Sequence, residues 1–349
     1  MILPLLCKSL RGASARLLAL ASVLLALFGT ETSKATNYAT YDFGSTNYIN
    51  GNLVGQNSWA QVGSTTNGPL LVTNGVVRLK QSSGSGQSAY QVITNLPVSS
   101  VTQDTVYYYV LEKHVVQSAY INSGGTSGNG IATFCTNNAA SGSYARLYLK
   151  RASLSDTTNF VYGLQVGTTT TYGTTSFPLG NTNKVVVAYD AKTSGVTDSA
   201  SLYVNPTGTN RANWTAELTV NIGGADPTSF QSFSLQQGAY STGTNQSTVS
   251  RILIGDTVAD VLPVPAAPTA QPATAVQPSG FIANWDPSTG ATIYYLDVAN
   301  DANFTSFYST YQNLDVGAVT SKQVQGPFSV GQTLYYRLRA ANSNGTSGN

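Results

Sequence analysis

The chain has little charge, little cysteine and almost no histidine. Only 9% of its 349 residues are charged, two are cysteine and one is histidine. No amphipathic helix pattern follows residue 30, whereas Gly, Ser, Thr, Asn and Tyr are abundant. This composition disfavours helices and favours short strands joined by tight turns. Because the length is sufficient for two or three domains with sizeable cores, we predict an all-β protein of that kind.

Cysteine is too scarce for an internal disulfide. Cys7 belongs to the N-terminal segment 1–35, and Cys135 is alone once that segment is removed. Cys135 lies in a short apolar run, which favours a buried small hydrophobe. A catalytic thiol would need a partner base, and His114 is the only histidine in the chain. The stability of the fold therefore has to come from its β cores.

The longest apolar run, residues 17–28, is too short to cross a membrane comfortably. Three basic residues precede it, and residues 33–35 follow it with small side chains around a cleavage point. This order is typical of a secretory signal peptide, with an uncleaved N-terminal anchor as the alternative. We predict a signal peptide over residues 1–35, a secreted or cell-surface location, and no membrane span after its removal.

The charge balance argues against a nucleic-acid partner. Residues 1–35 contain four of the 17 basic residues and one of the 15 acidic residues, which leaves 13 and 14 in the remainder. The mature chain therefore has a net charge near −1. Without an excess of positive charge, nucleic-acid binding has no electrostatic basis.

Residues 36–262 contain a series of short candidate strands and no crossover helix. The clearest hairpin signal is Asn74-Gly75 between two apolar runs. A second pair covers 184–190 and 201–206, where β-branched and aromatic residues fill both arms. The predicted core residues of this pair are Val185, Val187, Tyr189, Leu202 and Val204. Two antiparallel sheets of jelly-roll type are the natural packing for such strands.

A proline-rich segment, 263–268, separates these strands from a second set. Its three prolines fix φ and remove donors, which predicts a semi-rigid, extended linker. Strand patterns restart at 280–286, 293–298 and 333–340. We predict a small Ig-like sandwich over residues 269–349.

Residues 269–349 resemble a fibronectin type III domain. The resemblance is carried by the entry 267–269, Trp285, and the segments 290–298 and 333–342. It implies that Trp285 is a core residue and that Tyr335 is the corner tyrosine whose hydroxyl bonds nearby backbone. The family pattern continues past residues 345–349 into a final strand. We therefore expect either a fragment of a longer protein with further domains, which we favour, or an unpaired last edge.

Residues 36–262 more loosely resemble the concanavalin A-like and laminin G-like jelly rolls, which secreted bacterial proteins combine with fibronectin repeats. The segments that carry this resemblance are 48–59, 184–206 and 252–262. The resemblance implies the scaffold and leaves the activity open.

The carboxylates argue against a jelly-roll glycosidase. Such an enzyme needs two carboxylates beside the sugar bond, and Glu112 and Glu217 are the only glutamates after the leader, in no paired motif. A polysaccharide lyase is the other enzymatic alternative. Glu112 and His114 would share one strand face, with Tyr148 as a further candidate. We prefer the ordinary explanation, a solvated strand face, and assign no catalytic residue.

Sugar binding without catalysis requires only exposed aromatic side chains and a few hydrogen-bonding groups. Tyr144, Arg146 and Tyr148 alternate onto one predicted strand face and are the candidate ligand-binding residues, with a polysaccharide or cell-surface glycan as partner. Further aromatic candidates are Tyr162, Tyr172 and Trp59, of which we favour a core position for Trp59. The runs 123–130 and 168–175 are predicted as flexible polar linkers, with ligand loops as the alternative.

No cofactor is predicted. Ca²⁺ at a loop edge is a weak alternative that would use Asp190 and Asp198 with Asn205, although no calcium-loop spacing is present. The leading hypothesis is a secreted, non-catalytic protein whose jelly roll binds carbohydrate and whose fibronectin type III domain is a spacer. A structural or adhesive protein without glycan binding, and a lyase or glycoside hydrolase, are the alternatives.

Overall fold

The computed structural model describes residues 7–9, 37–62, 69–80, 88–98, 104–117, 128–137, 142–193, 196–222, 227–237, 246–308, 310–329 and 331–349. Strand β1 (Cys7–Ser9) is the described part of the predicted signal peptide, and the rest of that segment lies outside the described residues. Among the described residues, no helix is long and apolar enough to span a bilayer.

The chain forms two compact units. The first, the large sandwich, comprises residues 35–206 and 210–261. The second, the small sandwich, comprises residues 262–349 with 207–209 and β1. All strand pairs of the large sandwich are antiparallel, so the predicted all-β class is confirmed.

The large sandwich has an eight-stranded sheet, the front sheet, and a ten-stranded sheet, the back sheet. The front strands are β4 (Ala60–Val62), β7 (Ser88–Pro97), β9 (Asn129–Cys135), β10 (Ser143–Arg151), β11 (Asn159–Val166), β12 (Thr169–Tyr172), β13 (Phe177–Pro178) and β17 (Ser229–Leu235). Their order is β12-β11-β10-β9-β17-β7-β4, with β13 also on β11.

The back strands are β2 (Asn37–Asp42), β3 (Gly51–Asn52), β5 (Leu71–Thr73), β6 (Val76–Lys80), β8 (Thr105–Val116), β14 (Thr182–Ala191), β15 (Ser199–Val204), β16 (Leu218–Asn221), β18 (Gln246–Val249) and β19 (Arg251–Gly255). Their order is β16-β15-β14-β8-β18-β6-β5-β3, and β19 pairs with both β8 and β2. A 3₁₀ turn (Arg211–Asn213) and helix α1 (Val258–Val261) complete this unit.

Both predicted hairpins are confirmed. Asn74 and Gly75 have φ of 50° and 78°, as a tight turn between β5 and β6 requires, and these strands pair on either side of it. Strands β14 and β15 pair from Val185↔Val204 to Asp190↔Ser199. Four of the five predicted core residues of this hairpin are fully buried, and Val204 packs partly buried against them.

Aromatic rings join the inner faces of the two sheets. Phe230 lies 4.8 Å from the ring centroids of both Phe134 and Tyr189, stacked on the first and edge-on to the second. The hydroxyl of Tyr109 crosses the core to donate to the carbonyl of Ala145 at 2.7 Å. Trp59 is 1% exposed, so its predicted core position is confirmed.

Polar groups also bridge the two sheets inside this core. The ring nitrogen Nδ1 of His114, on β8, lies 2.9 Å from the hydroxyl of Tyr162, on β11. Asn183 donates to the same hydroxyl at 3.4 Å. Burial without a charged partner lowers the pKa of His114 to about 3, because the cationic form cannot be solvated there. His114 is therefore a neutral structural residue near pH 7.

Cys135 is fully buried on β9, as predicted. Burial raises the pKa of its thiol to about 12, so the thiolate is not accessible near neutral pH.

The small sandwich consists of a three-stranded and a five-stranded sheet. The first contains β20 (Ala270–Gln277), β21 (Gly280–Trp285) and β24 (Ser321–Gln325), in that order. The second contains β22 (Ile293–Ala299), β23 (Leu314–Gly317), β25 (Leu334–Asn342) and β26 (Gly345–Thr346) with β1. Along one edge of β25, β26 pairs antiparallel with residues 341–342 and β1 pairs parallel with residues 334–336.

The alternation of β25 corrects one predicted residue. Trp285 is 3% exposed in the core, as expected, but the fully buried tyrosine is Tyr336 and not Tyr335. Leu334, Tyr336 and Leu338 share the inward face, so Tyr335 points outward and is half-buried. The hydroxyl of Tyr336 donates to the carbonyls of Gln271 and Asn284, which joins β25 to the other sheet.

The buried His114 makes the stability of the large sandwich pH-dependent. An unfolded histidine takes up a proton near pH 6.5, whereas folded His114 remains neutral down to about pH 3. The unfolded state therefore binds more protons in this window, and the free energy of unfolding falls as pH falls, by up to about 1.4 kcal/mol per pH unit.

Because His114 is the only histidine, its ring signal in NMR spectra is unambiguous. We expect no titration of this signal between pH 8 and pH 4, and His114→Gln to show a flatter decline of stability than wild type. A ring midpoint near pH 6.5 would contradict a buried position.

Tyr335 and Tyr336 provide a matched pair. Tyr336→Phe removes a donor from two backbone carbonyls, so we expect a loss of about 1–3 kcal/mol. Amide exchange of β21 and β25 should then become about fivefold to a hundredfold faster. Tyr335→Phe should leave exchange unchanged, and the reverse ranking would restore the original prediction.

Candidate functional site

The outward face of the front sheet contains a groove of about 580 Å³. It lies over β10, β11 and β12, next to the start of β9. We call it the front groove, and its lining residues are Gly128, Tyr148, Lys150, Gln165, Thr168, Thr170 and Tyr172.

Strand alternation on β10 places the polar side chains in the groove. Leu147 and Leu149 are fully buried in the core, so their neighbours Tyr148 and Lys150 point outward and are half-buried. Arg146 shares this outward face. The apolar residues of β10 thus fix the strand against the core and present a phenol between two cations.

Glycines on both neighbouring strands make room for these groups. Tyr148 lies opposite Gly163 of β11 and opposite Gly130 of β9. A Cβ on Gly163 would lie 2.6 Å from the ring of Tyr172, and a Cβ on Gly130 would lie 2.3 Å from Nε of Arg146. The Tyr172 ring and the Arg146 guanidinium therefore lie against bare backbone on either side of Tyr148.

A hydrogen-bonded cluster fixes the centre of the groove. The hydroxyl of Tyr148 donates to Oε1 of Gln165 at 2.8 Å. Arg146 donates to the same oxygen at 3.4 Å and to the Tyr148 hydroxyl at 3.2 Å. Since Oε1 accepts both donors, the amide Nε2 of Gln165 remains as a donor, with no hydrogen-bond partner among the described residues.

Lys150 and Tyr172 form the second half of the groove. The ammonium of Lys150 lies 4.1 Å from the centroid of the Tyr172 ring, a cation–π contact. The hydroxyl of Tyr172 accepts from the backbone N–H of Gly128 at 2.7 Å. This bond fixes the position of the ring under the lysine charge. Thr168 and Thr170 add hydroxyls at the rim.

Tyr144 does not join the other two predicted ligand-binding residues. An extra residue in β10 shifts the register between Tyr144 and Leu147, and Ala145 takes a φ of 49° there. Tyr144 consequently packs, half-buried, against the core, with its ring 6.1 Å from Phe230. The predicted outward position is therefore wrong for Tyr144 and correct for Arg146, Tyr148 and Lys150.

The three residues of the lyase alternative lie in three separate parts of the large sandwich. A bulge at Lys113, whose φ is 48°, turns His114 into the core while Glu112 remains on the outward face of the back sheet. Glu112 lies 3.3 Å from Arg251 in an ion pair. Tyr148 is on the front sheet. Their predicted common site is therefore wrong.

The two weak calcium candidates are already engaged. Both oxygens of Asp190 accept from Arg211 at 2.6 Å. Asp198 is fully buried and accepts from the Tyr189 hydroxyl and the Lys192 backbone N–H, each at 2.7 Å. In the described part of the chain, no cluster of three or more His, Cys, Asp or Glu side chains is suited to a metal ion. These residues do not fit Ca²⁺.

Several groove residues were not among the predicted ligand-binding residues. Lys150 is in phase with Tyr148, and Gln165 is the one long polar side chain within an otherwise apolar strand. The sequence pattern therefore contained enough information to identify both as outward-facing candidates. Tyr172 was one of several aromatic candidates. Residues 169–172 form strand β12 rather than the predicted linker, while 123–127 lie outside the described residues. Tyr162 belongs to the core.

The small sandwich has a groove of about 560 Å³ of a different kind. Its lining combines three aliphatic side chains, Leu314, Val316 and Val319, with polar ones such as Lys322 and Gln323. The hydroxyl of Tyr311 accepts from the Gln325 backbone N–H at 2.9 Å. Among the described residues, its lining side chains are not hydrogen-bonded to one another. The front groove is the more organised of these two sites.

No protein-family model matches this chain, and neither does any curated protein. Among solved structures, lectin II from Ulex europaeus is 12% identical over 63% of this chain and 100% of its own, with a TM-score of 0.35. Lectin I from Ulex europaeus, in complex with the methyl glycoside of α-L-fucose, is 12% identical over 64% of this chain and 99% of its own, with a TM-score of 0.36.

The CBM2 module of the evolved Dit protein of Lactobacillus casei phage J-1 is 11% identical over 64% of this chain and 96% of its own, with a TM-score of 0.35. All three scores are below 0.5, so these likenesses carry no argument about the ligand of this chain.

Proposed function

We propose that this protein is a secreted, non-catalytic glycan-binding protein and that the front groove is its binding site. The observation that carries the proposal is the cluster of Tyr148, Gln165 and Arg146 on a rigid strand face. Sugars present hydroxyls and apolar ring faces together. A groove with an aromatic ring, an amide donor and hydroxyls matches both.

Rigidity supports binding over catalysis. The groove side chains stand on paired strands and are fixed by hydrogen bonds, so little conformational entropy is lost when a ligand binds. The lining residues include no pair of carboxylates of the kind that a glycosidase uses.

The small sandwich fits the role of a fibronectin type III spacer. The sheet orders β20-β21-β24 and β23-β22-β25-β26, the core Trp285 and the bridging Tyr336 support this assignment. The leader pattern in residues 1–35 supports export to the cell surface or beyond.

Substitution in the groove tests the proposal. Full-length protein should bind members of a panel of neutral and acidic polysaccharides in affinity electrophoresis. Tyr148→Ala and Gln165→Ala should each weaken that binding by about fivefold to tenfold, since one good hydrogen bond or ring contact is worth about 1–1.5 kcal/mol.

Tyr90→Ala is the matched control. Tyr90 stands on β7 of the front sheet, three strands away from β10, beside the inward-facing Ala89. Its loss should leave binding unchanged. An absence of binding to the whole panel would favour a structural or adhesive protein, and cleavage of a polysaccharide would favour an enzyme.

A further inference from the structure

We propose that the front groove selects glycans that bear an anionic substituent, a uronic carboxylate or a sulfate ester, and that Lys150 recognises this charge. The inference rests on the proposed glycan-binding function and adds the chemical class of the ligand. Three features of the groove support it.

The first feature is uncompensated positive charge. Ion pairs within the described residues join Lys192 to Asp104, Arg211 to Asp190, Arg251 to Glu112, and both Arg337 and Arg339 to Asp297. Neither Arg146 nor Lys150 belongs to this set. Glu217 lies beside Gly173, next to Tyr172, but it is not a lining residue. The outward face around Tyr148 therefore carries two positive charges that an anion can neutralise.

The second feature is the excess of donors. Oε1 of Gln165, the one amide oxygen in the groove, already accepts from Tyr148 and Arg146. The Gln165 amide nitrogen and the ammonium of Lys150 can only donate, whereas the hydroxyls of Thr168, Thr170 and Tyr172 can donate or accept. A neutral sugar has to donate as well as accept, whereas a carboxylate or sulfate only accepts. The donor excess therefore favours an anionic group.

The third feature is the position of the lysine charge. The Tyr172 ring packs against Gly163, and the ammonium of Lys150 lies over this ring, 4.1 Å from its centroid. The Gly128 N–H holds the ring in this orientation. Most surface lysines have no such support. A preorganised ammonium loses less entropy when it binds an anion.

The experiment compares wild type with Lys150→Met, Lys150→Glu and Lys113→Met as full chains. Lys150→Met retains the apolar stem and removes the charge. Lys113 is an exposed lysine of the back sheet, so Lys113→Met controls for the general loss of one cation. The probes are polygalacturonate, dextran sulfate, neutral dextran and poly-glutamate, each titrated calorimetrically at low salt and at about 1 M salt, where the Debye length is about 3 Å.

We expect wild type to bind one or both acidic polysaccharides at least about tenfold more tightly than dextran. Lys150→Met should lose about fivefold to tenfold, Lys150→Glu should lose binding, Lys113→Met should change little, and high salt should weaken the wild-type complex. Preference between polygalacturonate and dextran sulfate identifies the anion.

Each other outcome overturns the inference. Equal binding of dextran that is insensitive to Lys150→Met but lost in Tyr148→Ala would remove the charge selectivity and keep the glycan-binding function. Equal binding of poly-glutamate would show attraction to any polyanion. Binding to no polysaccharide would overturn both proposals.

Discussion

Each residue of a strand faces the side opposite to its neighbours, and the surfaces of this protein depend on where that alternation is interrupted. Two interruptions matter most, at Lys113 and at Ala145, each with a left-handed φ. The first turns His114 inward, where it meets Tyr162. The second turns Tyr144 inward and leaves Arg146, Tyr148 and Lys150 outward. In each strand, one extra residue thus determines which side chains enter the core and which face outward.

The front groove also depends on two glycines, because a residue without a side chain leaves space for its neighbours. Gly130 and Gly163 flank Tyr148 on the neighbouring strands, and the guanidinium and phenol rings occupy the space that other residues would fill. The same arrangement explains why the groove is rich in donors. The Arg146 guanidinium and the Tyr172 ring lie against the backbone, while Glu112 and Asp190 are paired with Arg251 and Arg211, which do not line the groove.

The buried position of Trp285 followed from the resemblance to a fibronectin type III domain, whereas composition and local pattern were sufficient for the all-β class and for both hairpins. These follow from strand propensity and turn chemistry, which are local. It was harder to predict which face of the sheet a side chain occupies. Glu112 and His114, or Tyr144 and Arg146, would share a face in a regular strand, and the sequence does not show that a bulge lies between them. The resemblance to a fibronectin type III domain implied Tyr335, and because adjacent tyrosines fit either phase of a strand, the local pattern does not distinguish Tyr335 from Tyr336. Gly130 and Gly163 lie on either side of Tyr148 because of the register between three strands. The sequence of one strand alone does not determine that register.

We propose that ligand binding occurs on the outward face of the front sheet. Titration with an acidic oligosaccharide such as oligogalacturonate, followed by backbone amide shifts in NMR spectra, locates the bound ligand. We expect the largest changes at residues 128–130, 146–150, 163–165 and 168–172. Changes that cluster on the back sheet or the small sandwich, with these four segments unaffected, would contradict it.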